Sequence, residues 1–288
     1  MDNSRILIIG ASGQLGIELQ ILLQSKNLQF GAPDSQQLDL TNKNSIRNYL
    51  SKWRPQIIFD CAAYTNVDAA EQDPGKNLNW QINDLGTLYL AQAARDLGAT
   101  LFYLSTDYVF DGLQPTPYQI EDQPNPQNEY GKAKLAGEQH IRQILNKYYI
   151  IRTSWLFGQY GHNFVQTMLH LAKSQPEITV VNDQFGRPTW TRTLAEFMVF
   201  AWEHALQFGT YHLANAGSCS WYEFAQEILK NQSVQVLPVT SQQYRQTAYR
   251  PRRSLLSLDK VLATGFSLPQ WQVALKECLN RKKKIIRR

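Results

Sequence analysis

Tyr130 and Lys134 stand four residues apart in a stretch patterned as a helix, residues 129–146, so their side chains share one helical face. A phenol beside an ammonium is a proton-transfer device. A free tyrosine titrates near ~10 and is a poor acid at neutral pH, whereas a nearby cation favours the phenolate. Lowering that pKa by about 3 takes about 4 kcal/mol, which a close, partly desolvated ammonium can help to supply. About 25 residues upstream, Ser105-Thr106-Asp107-Tyr108 closes a short apolar run over 100–104. Hydroxyls at the carboxyl end of a parallel strand face the crevice where ligands bind.

A Tyr-x-x-x-Lys pair alone carries little information. Its value comes from what precedes it. Residues 6–9 are a short apolar run ending at Gly10, and Gly10-Ala-Ser12-Gly13-Gln14-Leu15-Gly16 then turns into a helical pattern. Such a turn brings backbone N–H groups and a helix N-terminus to one spot, which attracts a pyrophosphate. Gly10 allows the tight turn, Gly13 the close approach of phosphate, and Gly16 the packing of helix on sheet. The spacing is G-x-x-G-x-x-G, not the standard G-x-G-x-x-G.

The elements that must position these residues alternate. Apolar runs at 6–9, 57–59, 100–104 and 148–152, with a weaker one at 28–30, are separated by helix-patterned stretches at 14–24, 45–52, 79–96 and 129–146. Leu38-Asp39-Leu40-Thr41-Asn42 reads as a strand end followed by a helix cap at Thr41 or Asn42. The order predicts an α/β fold, a Rossmann-type doubly wound parallel sheet, with a smaller C-terminal lobe. Residues 1–152 form the dinucleotide-binding part in this reading. Residues 153–280 form mainly a substrate-binding lobe that partly returns to the sheet, with short helices at 164–172, 193–206 and 221–230. Residues 281–288 form a basic tail. Four prolines between Pro115 and Gln127 mark a loop beside the site.

Composition narrows the function classes. The net charge of +5 arises from the last eight residues, which carry six positive charges and no acid. Without them the chain is close to neutral, so no nucleic-acid-binding face is expected, and the tail reads as a solvated terminus. No apolar stretch approaches the ~20 residues of a membrane helix, and the N-terminal run enters the glycine turn too soon for a signal peptide. Cys61, Cys219 and Cys278 are spaced for neither a metal nor a disulfide framework, and a cytoplasmic protein is expected. His162, His170, His204 and His212 lack metal-ligand spacing, and His140 lies nearly three turns beyond Tyr130. No metal is expected. Trp155, just past the fifth apolar run, is the best candidate for a stacking wall.

Longer segments resemble the dTDP-4-dehydrorhamnose reductases, a family of extended short-chain dehydrogenase/reductases. They include Ala-Ala-Tyr-Thr-Asn-Val-Asp-Ala-Ala-Glu (62–71), Ser-Thr-Asp-Tyr-Val-Phe-Asp-Gly (105–112), Tyr-Gly-Lys-Ala-Lys-Leu-Ala-Gly-Glu (130–138), Arg-Thr-Ser-Trp-Leu-Phe-Gly (152–158) and Arg-Pro-Arg-Arg-Ser-Leu-Leu (250–256). The resemblance spans residues 5 to about 280. It implies reduction of the 4-keto group of dTDP-4-dehydro-L-rhamnose to dTDP-L-rhamnose by NADPH or NADH. Tyr130 is then the proton donor, Lys134 holds the nicotinamide ribose and tunes the phenol, and Thr106 bonds the C4 carbonyl. Asp107 and Trp155 touch the sugar. Gly10, Ser12, Gly13, Gln14, Leu15, Gly16, Asp39, Leu40, Ala62, Ala63 and Tyr64 line the cofactor, with Asp39 near the adenine.

Two departures stand out. Asp60-Cys61 replaces the family's usual Asn-Ala, and Arg252-Arg253 fills a position often small, aromatic or polar. No Arg or Lys lies between Phe30 and Leu40, where a 2′-phosphate would need a cation, and Asp34 stands there instead. That leans toward NADH, yet a distant arginine can be recruited, so both cofactors stay open. Some relatives dimerise around Mg²⁺ through acidic side chains. Those ligands do not map onto this sequence, and a homodimer is compatible with the resemblance. Another nucleotide-sugar reductase or epimerase of the same fold, or a catalytically silent regulatory subunit, are the alternatives.

Overall fold

The computed structural model describes residues 5–244 and 246–286, with side chains as far as Arg281. In chain order the first half runs β1 (Ile6–Ile9), α1 (Gln14–Ser25), β2 (Phe30–Gly31), α2 (Lys43–Trp53), β3 (Ile57–Asp60), α3 (Gly75–Trp80), a π-helical turn (Gln81–Gly86), α4 (Thr87–Leu97), β4 (Thr100–Thr106), α5 (Glu129–Ile144) and β5 (Tyr148–Thr153). The second half runs β6 (Leu156–Phe157), α6 (Phe164–Leu171), β7 (Glu177–Val181), β8 (Phe185–Gly186), β9 (Thr189–Trp190), α7 (Thr191–Glu203), β10 (Gly209–His212), β11 (Cys219–Ser220), α8 (Trp221–Leu229), β12 (Gln235–Val239), α9 (Asp259–Ala263) and α10 (Trp271–Ile286).

One six-stranded parallel sheet has the order β10-β5-β4-β3-β1-β2. Its inner strands are apolar on both faces because helices cover both. α1 and α7 bury Leu15, Leu19, Leu23, Leu194 and Phe197 against Ile6, Ile8, Phe59 and Phe102. On the other face α2, α4 and α5 bury Ile46, Leu50, Leu90 and Ile141 against Leu7, Ile9, Ile58 and Tyr103. Each such side chain contributes about 1.5–3 kcal/mol on leaving water. The chain reverses direction across the sheet between β1 and β3, the switch point where ligands bind in open α/β sheets.

Several expectations shift. The second strand is Phe30–Gly31, two residues further than its apolar run suggested. Residues 38–42 form turns and not a strand end, because the Asp39 carboxylate accepts from both the backbone N–H and the hydroxyl of Thr41. Asn42 is the cap of α2, accepting from Asn44 and Ser45. The helical stretch expected at 79–96 begins at Gly75 and contains the π turn. β10 returns from the second half to extend the sheet beside β5. A separate apolar cluster of Phe157, Met168, Trp190, Phe224 and Trp271 builds the other lobe. α10 carries the chain helically through Ile286, so the first part of the basic tail continues a helix, and residues 287–288 lie outside the described residues. Among the described residues no helix is long and apolar enough to cross a membrane.

Candidate active site

At the carboxyl end of β1 the chain turns at Gly10, whose φ is +73°. A Cβ there would come within 2.6 Å of the Ala62 nitrogen, so only glycine lets the ends of β1 and β3 approach this closely. Gly13 caps α1 without a side-chain hydrogen bond, leaving the helix N-terminus free of its own acceptor. Gly10, Ser12, Asp39, Leu40, Ala62 and Ala63 line one cleft, together with Asp34, Thr41 and Ile82. Leu15 is buried in the sheet core, so only its backbone can face a ligand. Gln14 meets Asn163 of the other lobe at 3.4 Å. Tyr64 lines a neighbouring hollow with Asp68 and Gln72.

The π turn supplies a clamp that sequence reasoning missed. Asn83, 1% exposed, accepts from Tyr64 N and donates to Tyr64 O, while its own carbonyl accepts from Thr87 and Tyr103. π-turns inside α-helices recur at functional sites. The only sequence-level sign was an asparagine inside a helical pattern.

α5 begins at Asn128, which accepts from Gly131 N at 2.7 Å and donates to Tyr249 O at 2.9 Å. The helix sets Tyr130 and Lys134 over the end of β4. The Tyr130 phenol lies beside the Thr106 hydroxyl, and burial pushes it well above the ordinary tyrosine value. That differs from the lowered pKa expected from the Tyr/Lys spacing. The reason is geometric: the Lys134 ammonium sits over the Tyr103 ring, 3.9 Å from its centroid, and hydrogen-bonds to nothing among the described residues. Burial pushes Lys134 down, while the Asp60 and Glu138 carboxylates pull it back up. Asp60, at the end of β3, is pushed up by burial and pulled down by Lys134 and by the Ala62 N–H.

Thr106 donates to Asp107 at 3.2 Å and accepts from Tyr108 N at 3.1 Å. Asp107 is buried, accepts from Ser254 of the other lobe, and is pushed up to about 7 by burial. The Tyr108 ring meets Tyr130 edge-on at 6.1 Å, and its phenol lies near Arg250, which forks onto Asp68 at 3.0 and 2.6 Å. Trp155, with φ +48°, stacks on Trp221 at 3.6 Å within an aromatic cluster of that lobe. Sequence reasoning also missed Glu138. One turn past Lys134, it is fully buried and bonded by Arg152 at 2.9 and 2.8 Å, Arg142 at 2.6 Å and Ser105 at 2.5 Å.

The glycine cradle between β1 and β3, the uncapped N-terminus of α1, and a buried ammonium without a hydrogen-bond partner among the described residues together fit a dinucleotide. A model described as the RmlD substrate binding domain matches residues 4–284. The chain belongs to that family. Relatives include the spore coat polysaccharide biosynthesis protein SpsK of Bacillus subtilis, 37% identical over 97% of this chain and 98% of its own length. The dTDP-4-dehydrorhamnose reductase of Streptomyces griseus is 39% identical over 95% of this chain and 92% of its own. A crystal structure of dTDP-4-dehydrorhamnose reductase from Bacillus anthracis in complex with NADP is 42% identical, with a TM-score of 0.92, and covers 96% of this chain and 99% of that one. The Rossmann-type architecture read from the sequence is the one this RmlD-type chain adopts.

Proposed function

We propose that this chain reduces the C4 ketone of dTDP-4-dehydro-L-rhamnose to dTDP-L-rhamnose, with NADPH or NADH as reductant, in the biosynthesis of dTDP-rhamnose. The reading rests on the Tyr130–Thr106 pair at the sheet end, bracketed by the glycine cradle and the buried Lys134, and on the names of the full-length relatives. Residues 1–152 then carry the dinucleotide and residues 153–280 mainly the sugar nucleotide. The backbone of Gly10–Gly16 would hold the pyrophosphate, and Asp39, Leu40, Ala62, Ala63 and Tyr64 the rest of the cofactor.

When bound, the dihydronicotinamide supplies a hydride to C4. Everything else falls to side chains. Thr106 orients the ketone oxygen, and Tyr130 gives it a proton as alkoxide charge builds. A phenol with a raised pKa is fully protonated at neutral pH, the correct state for a donor. Lys134, on the same helical face, would hold the nicotinamide ribose. Asp107 and Trp155 would contact the sugar.

The test is a coupled assay with the purified chain, a 3,5-epimerase and dTDP-4-dehydro-6-deoxyglucose, run separately with NADPH and NADH. Oxidation of either cofactor with formation of dTDP-rhamnose is the expected result. An unchanged reduced cofactor would overturn reduction of this sugar and favour a reductase of another nucleotide sugar, an epimerase or a silent subunit. Light scattering on the same sample tests the homodimer that the family resemblance suggests.

A further inference from the structure

Asp60 is an acid at the end of a central strand, where the resembling family usually carries asparagine, and the proposed reaction makes no use of it. It is the last residue of β3 and 2% exposed. Its carboxylate accepts a long hydrogen bond from Ala62 N, at 3.2 Å. Its register partner on β4 is Tyr103. Paired residues on neighbouring strands present their side chains on the same face of a sheet. The Lys134 ammonium, 1% exposed, lies on that same Tyr103, 3.9 Å from the ring centroid. Carboxylate and ammonium therefore occupy one buried patch beneath α5, close enough to act on each other but outside direct ion-pair contact.

We propose that Asp60 is a positioning residue for Lys134, the buried counter-ion that keeps its ammonium charged and held at the sheet end. The other groups facing Lys134 serve less well. Tyr103 and Tyr130 are neutral phenols, both pushed up by burial. Glu138 is a carboxylate one turn along α5, but two guanidiniums, Arg152 and Arg142, and the Ser105 hydroxyl already occupy its oxygens. The thiol of Cys61, beside Asp60, is pushed up by burial and by Asp60 itself, so it too is neutral. Asp60 is thus the one uncompensated negative charge facing the lysine among the described residues. An asparagine would keep the shape and the Ala62 contact but remove that charge. The role rests on Lys134 serving the reaction as proposed above.

The test uses the isosteric substitution Asp60→Asn, with Asp60→Ser as a second variant should the first fail to fold. Lysine labelled at Cε with carbon-13 is titrated by NMR in the protein without cofactor, and the Lys134 signal is assigned by its loss in Lys134→Arg. The expected result is a Lys134 midpoint lower by about 1 pH unit or more in the variant, the size of effect typical of a nearby opposite charge. The alkaline limb of kcat/KM should move down by the same amount, which gives about tenfold less activity than wild type beyond it. An unmoved Lys134 midpoint overturns the counter-ion role and leaves the reductase reading intact. A lowered midpoint with an unmoved pH profile supports the ionic pairing and overturns the part of Lys134 in the reaction.

Discussion

Asn83 grips the backbone of Tyr64 from both sides, accepting from its N–H at 3.2 Å and donating to its C=O at 2.9 Å. This clamp joins the π turn to the loop after β3, where Ala62 and Ala63 line the cleft proposed to hold the cofactor. Asn83→Ala would leave buried backbone groups without partners, at a cost of about 1–3 kcal/mol. The loop should loosen before the fold does. The expected outcome is a KM for the reduced cofactor raised several-fold, with a lowered Tm, measured by steady-state kinetics and thermal unfolding.

Tyr130→Phe removes the proposed proton donor and keeps the ring packed edge-on against Tyr108. General acid catalysis is worth about 10²–10⁴-fold, so kcat should fall by at least that range. Cofactor affinity, measured by quenching of protein fluorescence, should change little, because the cradle at Gly10 and α1 is untouched. Retention of wild-type kcat would defeat the mechanism.

Asp107 links pH to stability. In the unfolded chain it ionises near its ordinary value of 3.8, but in the fold it keeps its proton up to about 7 because burial disfavours the anion. Between those values the folded state binds the extra proton. Through this group, stability therefore falls as pH rises across that window, and the penalty is complete above about pH 7. Asp107→Asn carries no such penalty. Relative to wild type the variant should gain on the order of 3–4 kcal/mol between pH 4 and pH 8, read from urea unfolding at both ends. A difference that is flat with pH would show that the carboxyl ionises freely in the fold.

The central sheet was legible because β1, β3, β4 and β5 are short runs apolar on both faces, and the glycine turn at Gly10 marks β1 as the strand that leads into a dinucleotide cradle. β10 was not, since Gly-Thr-Tyr-His has no apolar run and finds its place only by pairing with β5, some sixty residues earlier in the chain. Leu38 and Leu40 are both buried, which mimicked a strand, but the Asp39–Thr41 bonds bend the chain into a turn. That Tyr130, Lys134 and Thr106 lie near one another at the sheet end could be read from spacing and strand ends. The direction of the Tyr130 pKa could not, because i, i+4 spacing fixes a shared helical face but not which neighbour the ammonium meets. Asp60 and Lys134, like Ser254 and Asp107, come together only through tertiary packing.

Glu138 and Arg152 tie the helix that bears Tyr130 and Lys134 to the strand beneath it. Arg152 forks onto both carboxylate oxygens, and both side chains are at most 1% exposed. Burial works to raise the Glu138 carboxyl, but the bonds from Arg152, with Arg142 and Ser105, outweigh it and hold the group below its usual range. It therefore stays charged opposite the Arg152 guanidinium. Breaking such a pair from one side strands a buried charge, so Glu138→Gln should destabilise by roughly 3–5 kcal/mol. Removing both charges strands neither. The double variant Glu138→Leu with Arg152→Met should then be more stable than either single change, although it deletes more hydrogen bonds. Urea unfolding of the four proteins in this cycle measures the coupling directly, and additive losses would mean that the two side chains act independently.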